Sequence, residues 1–213
     1  MLDNLFAFPP NRETLGGTAY FIVRNEGNVL IDCPGWNEIQ QRTYQSFLES
    51  QGGVRWLLIT HRSNIGRAKQ VQRALHCPIV IQEQEAYLLP KLDLITFETE
   101  IQLTTDLRGI WTCGHSPGST CFYWQPHGGV LFTGRHLLPD RNGQPAPLRT
   151  AKTFHWPRQL RNVTALRQRF STETLHHICP GASIGLLRGR HTIEAAYTQL
   201  NQLDLDQLAT TLS

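Results

Sequence analysis

The 213-residue chain has no apolar stretch long enough to cross a membrane. A membrane-spanning helix needs about 20 consecutive, predominantly apolar residues. The opening segment, MLDNLFAFPPNRE, also lacks the basic start and the apolar core of a secretory signal peptide. We therefore expect a protein that works in the cytoplasm and has no membrane partner.

Paired cysteines and nucleotide-binding loops are also missing. No CxxC pair occurs, and the number of cysteines is odd, so we expect reduced and mostly buried thiols. No strand pattern is followed by GxGxxG or a Walker motif, so a nucleotide-binding fold has no support. The five cysteines are Cys33, Cys77, Cys113, Cys121 and Cys179.

Lysine is scarce, whereas arginine is common and unevenly distributed. Between Arg135 and Arg190 the chain carries nine arginines and one lysine against Asp140 and Glu173, a balance of +8. Most such basic runs are solvated surface with local ion pairs. The more specific alternative is that these residues bind an anionic ligand or a nucleic acid. The planar guanidinium of arginine suits carboxylates and phosphates better than the lysine ammonium does.

Strand and helix patterns alternate along the chain and predict its fold class. Two short β-rich runs at 18–33 are followed by α, β, α and β patterns, and a second β-rich stretch then leads into α, β and α. We expect one continuous strand at 94–103 and a last helix at 191–203. The order predicts an α/β sandwich in a single domain, residues 1–213.

Five loops at strand ends collect the polar residues from which a site could form. They read IDCPGWN, THRSNIG, CGHSPGST, FTGRHLL and CPGASIG, in chain order. Loops at one edge of an α/β fold are where catalytic and binding groups gather. A sixth segment, the Pro/Gly/Asn-rich loop 139–153, is long enough to act as a lid and to determine ligand choice.

With these loops in order, the sequence resembles the metallo-β-lactamase superfamily over residues 15–195, with 196–213 as a C-terminal helix or tail. GTAYFIVRNEGNVLIDCPG is similar to the opening hairpin of that family, and LLITH with Ile65-Gly66 to its T-H-x-H-x-D-H-x-G loop. CGHSPGST, GVLFTGR and HHICPGAS resemble three later segments. The resemblance implies a four-layer αβ/βα sandwich with its site at one edge, between two sheets.

The resemblance also implies two zinc or iron ions held by histidines and carboxylates, with a bridging water as nucleophile. His61 matches the first histidine of the family loop and His115 the histidine of its G-H-S-P-G segment. The loop after His61 is two residues short, which deletes the second histidine and leaves Ser63 and Asn64 near the positions of an aspartate and a histidine.

Two further ligand positions are substituted. Arg135 stands where the family has its bridging aspartate, and Ala182 where it has its last histidine. Catalytic zinc needs about three protein ligands and an open position. A permanent cation about 4 Å from a unit positive charge costs about 4 kcal/mol at an effective dielectric of 20. The sequence therefore argues against a dinuclear site and favours no metal cofactor, with a single weak zinc or iron site at His61 and His115 as the alternative.

Other polar residues near these loops have ordinary structural explanations. We interpret His136, Cys113 and Cys179 as structural, because strand alternation would send His136 and Arg135 to opposite sides if the strand continued. Asp32 is interpreted as a residue that orients loops rather than one that binds metal. The six remaining histidines match no ligand position and are interpreted as surface or packing residues.

Three functions from different classes stay open on the sequence alone. The favoured hypothesis is a non-hydrolytic binding protein for a small anionic ligand or a protein partner, in which Arg135 and Arg62 replace the positive charge of the metals. The second is a hydrolase of ester, thioester or phosphoester bonds with a rebuilt one-metal site. The third is a nucleic-acid-binding protein. The candidate ligand-binding residues are Asp32, His61, Arg62, Ser63, Asn64, His115 and Arg135.

Overall fold

The structure is a computed structural model that describes residues 2–183 and 185–210. Two β-sheets pack face to face, and helices cover the outer face of each sheet. The resulting order of layers is α, β, β, α, as the resemblance implied. The loops at one edge of the two sheets carry the candidate site.

The first sheet has six strands in sequential order, β1 to β6. Its first three strands are antiparallel, whereas β3, β4, β5 and β6 run parallel. Parallel neighbours need crossover connections, which the helices here supply. The strands are β1 Leu5–Ala7, β2 Tyr20–Ile22, β3 Val29–Ile31, β4 Trp56–Leu58, β5 Ile79–Gln82 and β6 Leu94–Phe97, and the helices are α1 Glu38–Ser50, α2 Ala68–Leu75 and α3 Glu83–Ala86.

The second sheet has five strands in the order β13, β10, β9, β8, β7. All pairs are antiparallel except β10 with β13, which is parallel. A separate two-stranded hairpin, β11 and β12, overlaps the first part of the segment 139–153 that was expected to be a long loop. The elements are β7 Glu100–Thr104, β8 Leu107–Trp111, β9 Thr120–Trp124, β10 Val130–Gly134, β11 Leu138–Pro139, β12 Pro145–Ala146, α4 Trp156–Arg169, β13 His177–Pro180, α5 Ala196–Asn201 and α6 Leu205–Thr210.

Alternation along the strands explains why both faces of each sheet are buried. Leu58 and Phe132 point into the layer between the sheets. Leu57, next to Leu58, packs under the helices of the first sheet, and Leu131, next to Phe132, packs under α4 and α5. Successive side chains of a strand point to opposite faces, so near-continuous apolar runs are what a doubly covered sheet requires.

Three expectations about elements need correction. The segment 94–103 is not one strand, because it breaks after Phe97 and its halves, β6 and β7, join different sheets. The last helix begins at Ala196 rather than at His191, and α6 follows it. The first strand, Leu5–Ala7, was not expected, because three residues are too short for a periodic signal.

The thiol expectation is confirmed. All five cysteines are buried and free. Across the described ranges 2–183 and 185–210, no helix has both the length and the apolar character to cross a membrane.

Candidate functional site

The carboxyl ends of β3 and β4 place Asp32 and His61 at the same edge of the first sheet. The strands are parallel, with Ile31 opposite Leu58, so the residues that follow them leave the sheet side by side. His115 precedes β9, and Arg135 follows the end of β10 in the facing sheet. The edge between the two sheets therefore brings together segments more than 100 residues apart in sequence.

Asp32 is a buried carboxylate that holds the neighbouring loop. It accepts hydrogen bonds from the Thr60 amide at 2.8 Å, the Thr60 hydroxyl at 2.7 Å and the Asn64 amide nitrogen at 2.6 Å. Burial raises its pKa to about 7, although these donors and the charge of Arg135 act in the opposite direction. Its backbone φ of 61° lies in the left-handed region, which aspartate tolerates better than most residues.

His61 is fully buried and keeps one ring nitrogen free. Its Nδ1 lies 2.9 Å from the Thr60 hydroxyl, whereas Nε2 has no hydrogen-bond partner among the described residues. Burial lowers the pKa of His61 well below its usual range, and the charges of His115 and Arg135 add to this effect. The imidazole is therefore neutral at physiological pH.

His115 lies edge-on to His61, with 4.9 Å between the ring centroids. Burial first, and then the charges of Arg135, Arg62 and Lys152, lower the pKa of His115 to about 4. Two neutral imidazoles thus lie beside three cationic side chains. The structure thus brings His61 and His115 together at this edge.

Arg135 is held at the edge by the N-terminal segment of the chain. Its Nη2 donates to the Leu15 carbonyl at 2.7 Å and to the Thr14 carbonyl at 3.3 Å. Its Nε is buried and has no hydrogen-bond partner in the described part of the chain. Because β10 ends at Gly134, the alternation argument for Arg135 and His136 does not apply beyond that residue.

The other candidate residues of the loop after β4 have distinct surroundings. Arg62 forms an ion pair with Glu85, at 3.4 Å between Nε and Oε1. Asn64 is buried against Asp32, while Ser63 is half-buried and makes no hydrogen bond to the other candidates in the described chain. Ser63 is thus the candidate with the weakest structural link to the site.

The sequence analysis missed two residues that contribute to this edge, and it interpreted a third, His136, as structural. Thr60 connects Asp32 to His61, and its place directly before His61 was the only available signal. Glu85 is almost completely buried and forms an ion pair with Arg62, and no sequence pattern predicts this contact. His136 is buried, and neither ring nitrogen has a partner among the described residues. Burial, and then the charge of His115, lower the pKa of His136 to about 3.

The donor set at this edge does not fit the two-metal centre that the resemblance implies. Residues 2–183 and 185–210 contain no group of three or more His, Cys, Asp or Glu side chains placed to hold a metal ion. The Asp32 carboxylate already accepts hydrogen bonds from Thr60 and Asn64. Ala182 brings no ligand atom, and Arg135 adds a cation close to both histidines.

Comparisons with known proteins found structural but not sequence relatives. No protein-family model matches the sequence, and no curated protein matches it. An archaeal metallo-beta-lactamase superfamily protein from Sulfolobus tokodaii superposes with a TM-score of 0.67 at 14% identity, covering 100% of this chain and 88% of the other. The chain has the metallo-β-lactamase fold. The four-layer expectation and the resemblance in fold are therefore confirmed.

Two further structures with the metallo-β-lactamase fold illustrate the range of neighbours. A protein solved in a di-iron-bound form, TTHA1623, gives a TM-score of 0.64 at 20% identity, covering 86% of this chain and 97% of the other. A quorum-quenching N-acyl homoserine lactone lactonase gives 0.61 at 18% identity, covering 84% and 92%. At these identities the likeness concerns the fold, and function must be argued from the site.

Proposed function

We propose that this metallo-β-lactamase-fold protein binds a small anionic ligand at its sheet edge without a metal ion. The supporting observation is the position of the Arg135 guanidinium, whose charge acts on Asp32, His61 and His115. Arg135 provides at this edge the positive charge that metal ions would provide in a hydrolase. The chain would then act as a binding protein rather than as a hydrolase.

The charge balance of the edge favours an anion. Arg135, Arg62 and Lys152 all lower the pKa of His115 by their positive charge, and Glu85 offsets only part of this through its pair with Arg62. Asp32, with a pKa of about 7, is about half protonated at neutral pH and contributes less than a full negative charge. An anion at this edge would therefore meet an excess of positive charge.

Hydrogen-bonding capacity at the edge is also unused. Arg135 bonds to described residues only through Nη2, and its Nε is buried without a partner among them. The Nε2 atom of His61 is buried and unpartnered. Charge-assisted hydrogen bonds from arginine to carboxylate or phosphate are among the strongest that proteins make.

Calorimetric titration with phosphate and with acetate tests this proposal. We expect binding to the wild type, retention of most of it in Arg135→Lys, and a loss of about tenfold or more in Arg135→Gln. Arg42→Gln, at an exposed position of α1, is the matched control and should bind like the wild type. Equal affinities for the wild type and Arg135→Gln would contradict the proposal.

A one-metal hydrolase is the second candidate, and the free Nε2 of His61 close to the His115 ring is the observation that favours it. Elemental analysis of protein purified without chelators separates the two. Our proposal expects metal well below one equivalent per chain. A full equivalent of zinc or iron, lost in both His61→Ala and His115→Ala, would replace our proposal with the hydrolase.

A further inference from the structure

A cavity of about 670 Å³ opens on the surface at the segment that leads into α4. Its walls come from residues 149–157, which run from the segment after β12 into the first two residues of α4. The Phe154 amide donates to the His115 carbonyl at 3.0 Å, and the His155 amide donates to the Gly114 carbonyl at 2.9 Å. The cavity wall is thus joined directly to the candidate site.

Three aromatic side chains in a row line this cavity. Phe154 is 50% exposed, so about half of its side chain remains open to a ligand. Trp156 is buried, and its indole nitrogen donates to the Leu208 carbonyl of α6 at 3.3 Å. The Nδ1 atom of His155 accepts from the Arg158 amide at 3.2 Å. Two of the three rings are therefore held by hydrogen bonds, while the Phe154 ring has apolar surface left to bury.

Polar and cationic groups share the same walls. Arg149, Thr150 and Thr153 line the cavity together with the rings. Lys152 lies in the same segment, close enough to lower the pKa of His115. An alkyl chain would leave these polar groups without partners, whereas an aromatic ring can stack on Phe154 and also face a cation.

We infer that this cavity binds the planar aromatic group of an anion whose charged group lies at Arg135. The inference rests on the proposed function and adds the ligand class to it. The volume lies within the roughly 300–1,000 Å³ of small-molecule sites and is larger than phosphate or acetate would require. The Pro/Gly/Asn-rich segment, which the sequence singled out as the determinant of ligand choice, supplies one wall.

Calorimetry with matched carboxylates tests the inference. The probes are acetate, 2-naphthoate, decanoate and cyclohexanecarboxylate. Adenosine monophosphate is a fifth probe, in which a nucleobase provides the aromatic ring and a phosphate provides the negative charge. We expect 2-naphthoate to bind about tenfold more tightly than cyclohexanecarboxylate or decanoate. Phe154→Ala should remove this preference and leave the affinity for acetate unchanged. Ile39→Ala, at an 80% exposed apolar position of α1, is the control.

The outcomes separate this inference from the proposed function. Binding of all carboxylates with equal affinity, or tighter binding of decanoate, overturns the aromatic cavity while the anion site stands. An aromatic preference that survives in Phe154→Ala also overturns it. If no anion binds to the wild type, both proposals fail. Tighter binding of adenosine monophosphate than of 2-naphthoate supports the inference and identifies a nucleotide as the source of the aromatic group.

Discussion

Asn64 donates a 2.6 Å hydrogen bond to the carboxylate of Asp32, and this contact joins the loop after β4 to the end of β3. Both side chains are buried, so the bond is made away from water. The sequence analysis placed Asn64 near a substituted metal-ligand position and among the candidate ligand-binding residues. In the structure it helps to hold the loop that carries His61, which suggests how the edge keeps its shape without a complete ligand set.

We expect Asn64→Ala to lower the free energy of unfolding by about 1–3 kcal/mol, because a buried carboxylate loses a donor. The loss should be larger at pH 8 than at pH 5.5. Asp32 has a raised pKa of about 7 in the folded state, so it is mostly protonated at pH 5.5. The hydrogen bond from Asn64 then stabilises a neutral carboxyl group rather than a buried negative charge. Urea unfolding at both pH values measures the difference, and equal losses would contradict this account.

His136→Leu should reduce the sensitivity of the protein to acid. The pKa of His136 is lowered to about 3 in the folded state, whereas a histidine in the unfolded chain has a pKa of about 6.5. Below about pH 6.5 the unfolded state therefore takes up a proton that the folded state does not, and the free energy of unfolding falls as the pH falls. Between pH 6 and 4, the variant should gain about 1.4 kcal/mol per pH unit relative to the wild type. Urea unfolding across this range is the measurement.

The same change should cost little at pH 7.5, because neither ring nitrogen of His136 has a partner in the described chain. The control is His76→Asn, at the exposed left-handed residue that ends α2. Asparagine tolerates that backbone conformation, so the control replaces an exposed histidine without straining the backbone. A His136→Leu profile parallel to the wild type would refute the assignment.

Arg62→Gln should be more destabilising than the double variant Arg62→Gln with Glu85→Gln. Glu85 is almost completely buried, and its ion pair is with Arg62, so removing the arginine leaves an uncompensated buried charge. Arg62 itself is partly exposed, and we therefore expect a cost of only about 1–2 kcal/mol for the single change. A double-mutant cycle on urea unfolding checks this, and simple additivity would show that the pair has no energetic coupling.

Arg135→Asp should create a metal site. The change removes the cation beside His61 and His115 and supplies a carboxylate, which brings the donor set to three. We expect zinc affinity to rise about tenfold or more over the wild type in competition with a chromophoric chelator. Arg42→Asp, which makes the same charge change at an exposed position of α1, should bind zinc like the wild type. No gain in Arg135→Asp would mean that the residue does not share an edge with the histidines.

The candidate site was predictable where it followed directly from strand ends. Asp32 and His61 each come just after a buried strand, and parallel pairing of β3 with β4 places them together. Glu85 was not predictable, because it lies on a four-residue helix with no motif, and only packing brings it to Arg62. The break after Phe97 was missed because its two strands have the same local pattern and differ only in the sheet they join.

The order of strands, helices and edge loops follows from the sequence, and the four layers follow from its resemblance to a known family. Near-continuous apolar strands require that both faces of a sheet be covered, and this requirement is local. Which side chains meet at the edge depends on how the elements pack. Arg135 is held by the carbonyl of Leu15, 120 residues away, and the His115 carbonyl accepts from Phe154. Such contacts depend on how two sheets and their loops pack against each other, which the spacing of residues along the chain does not specify.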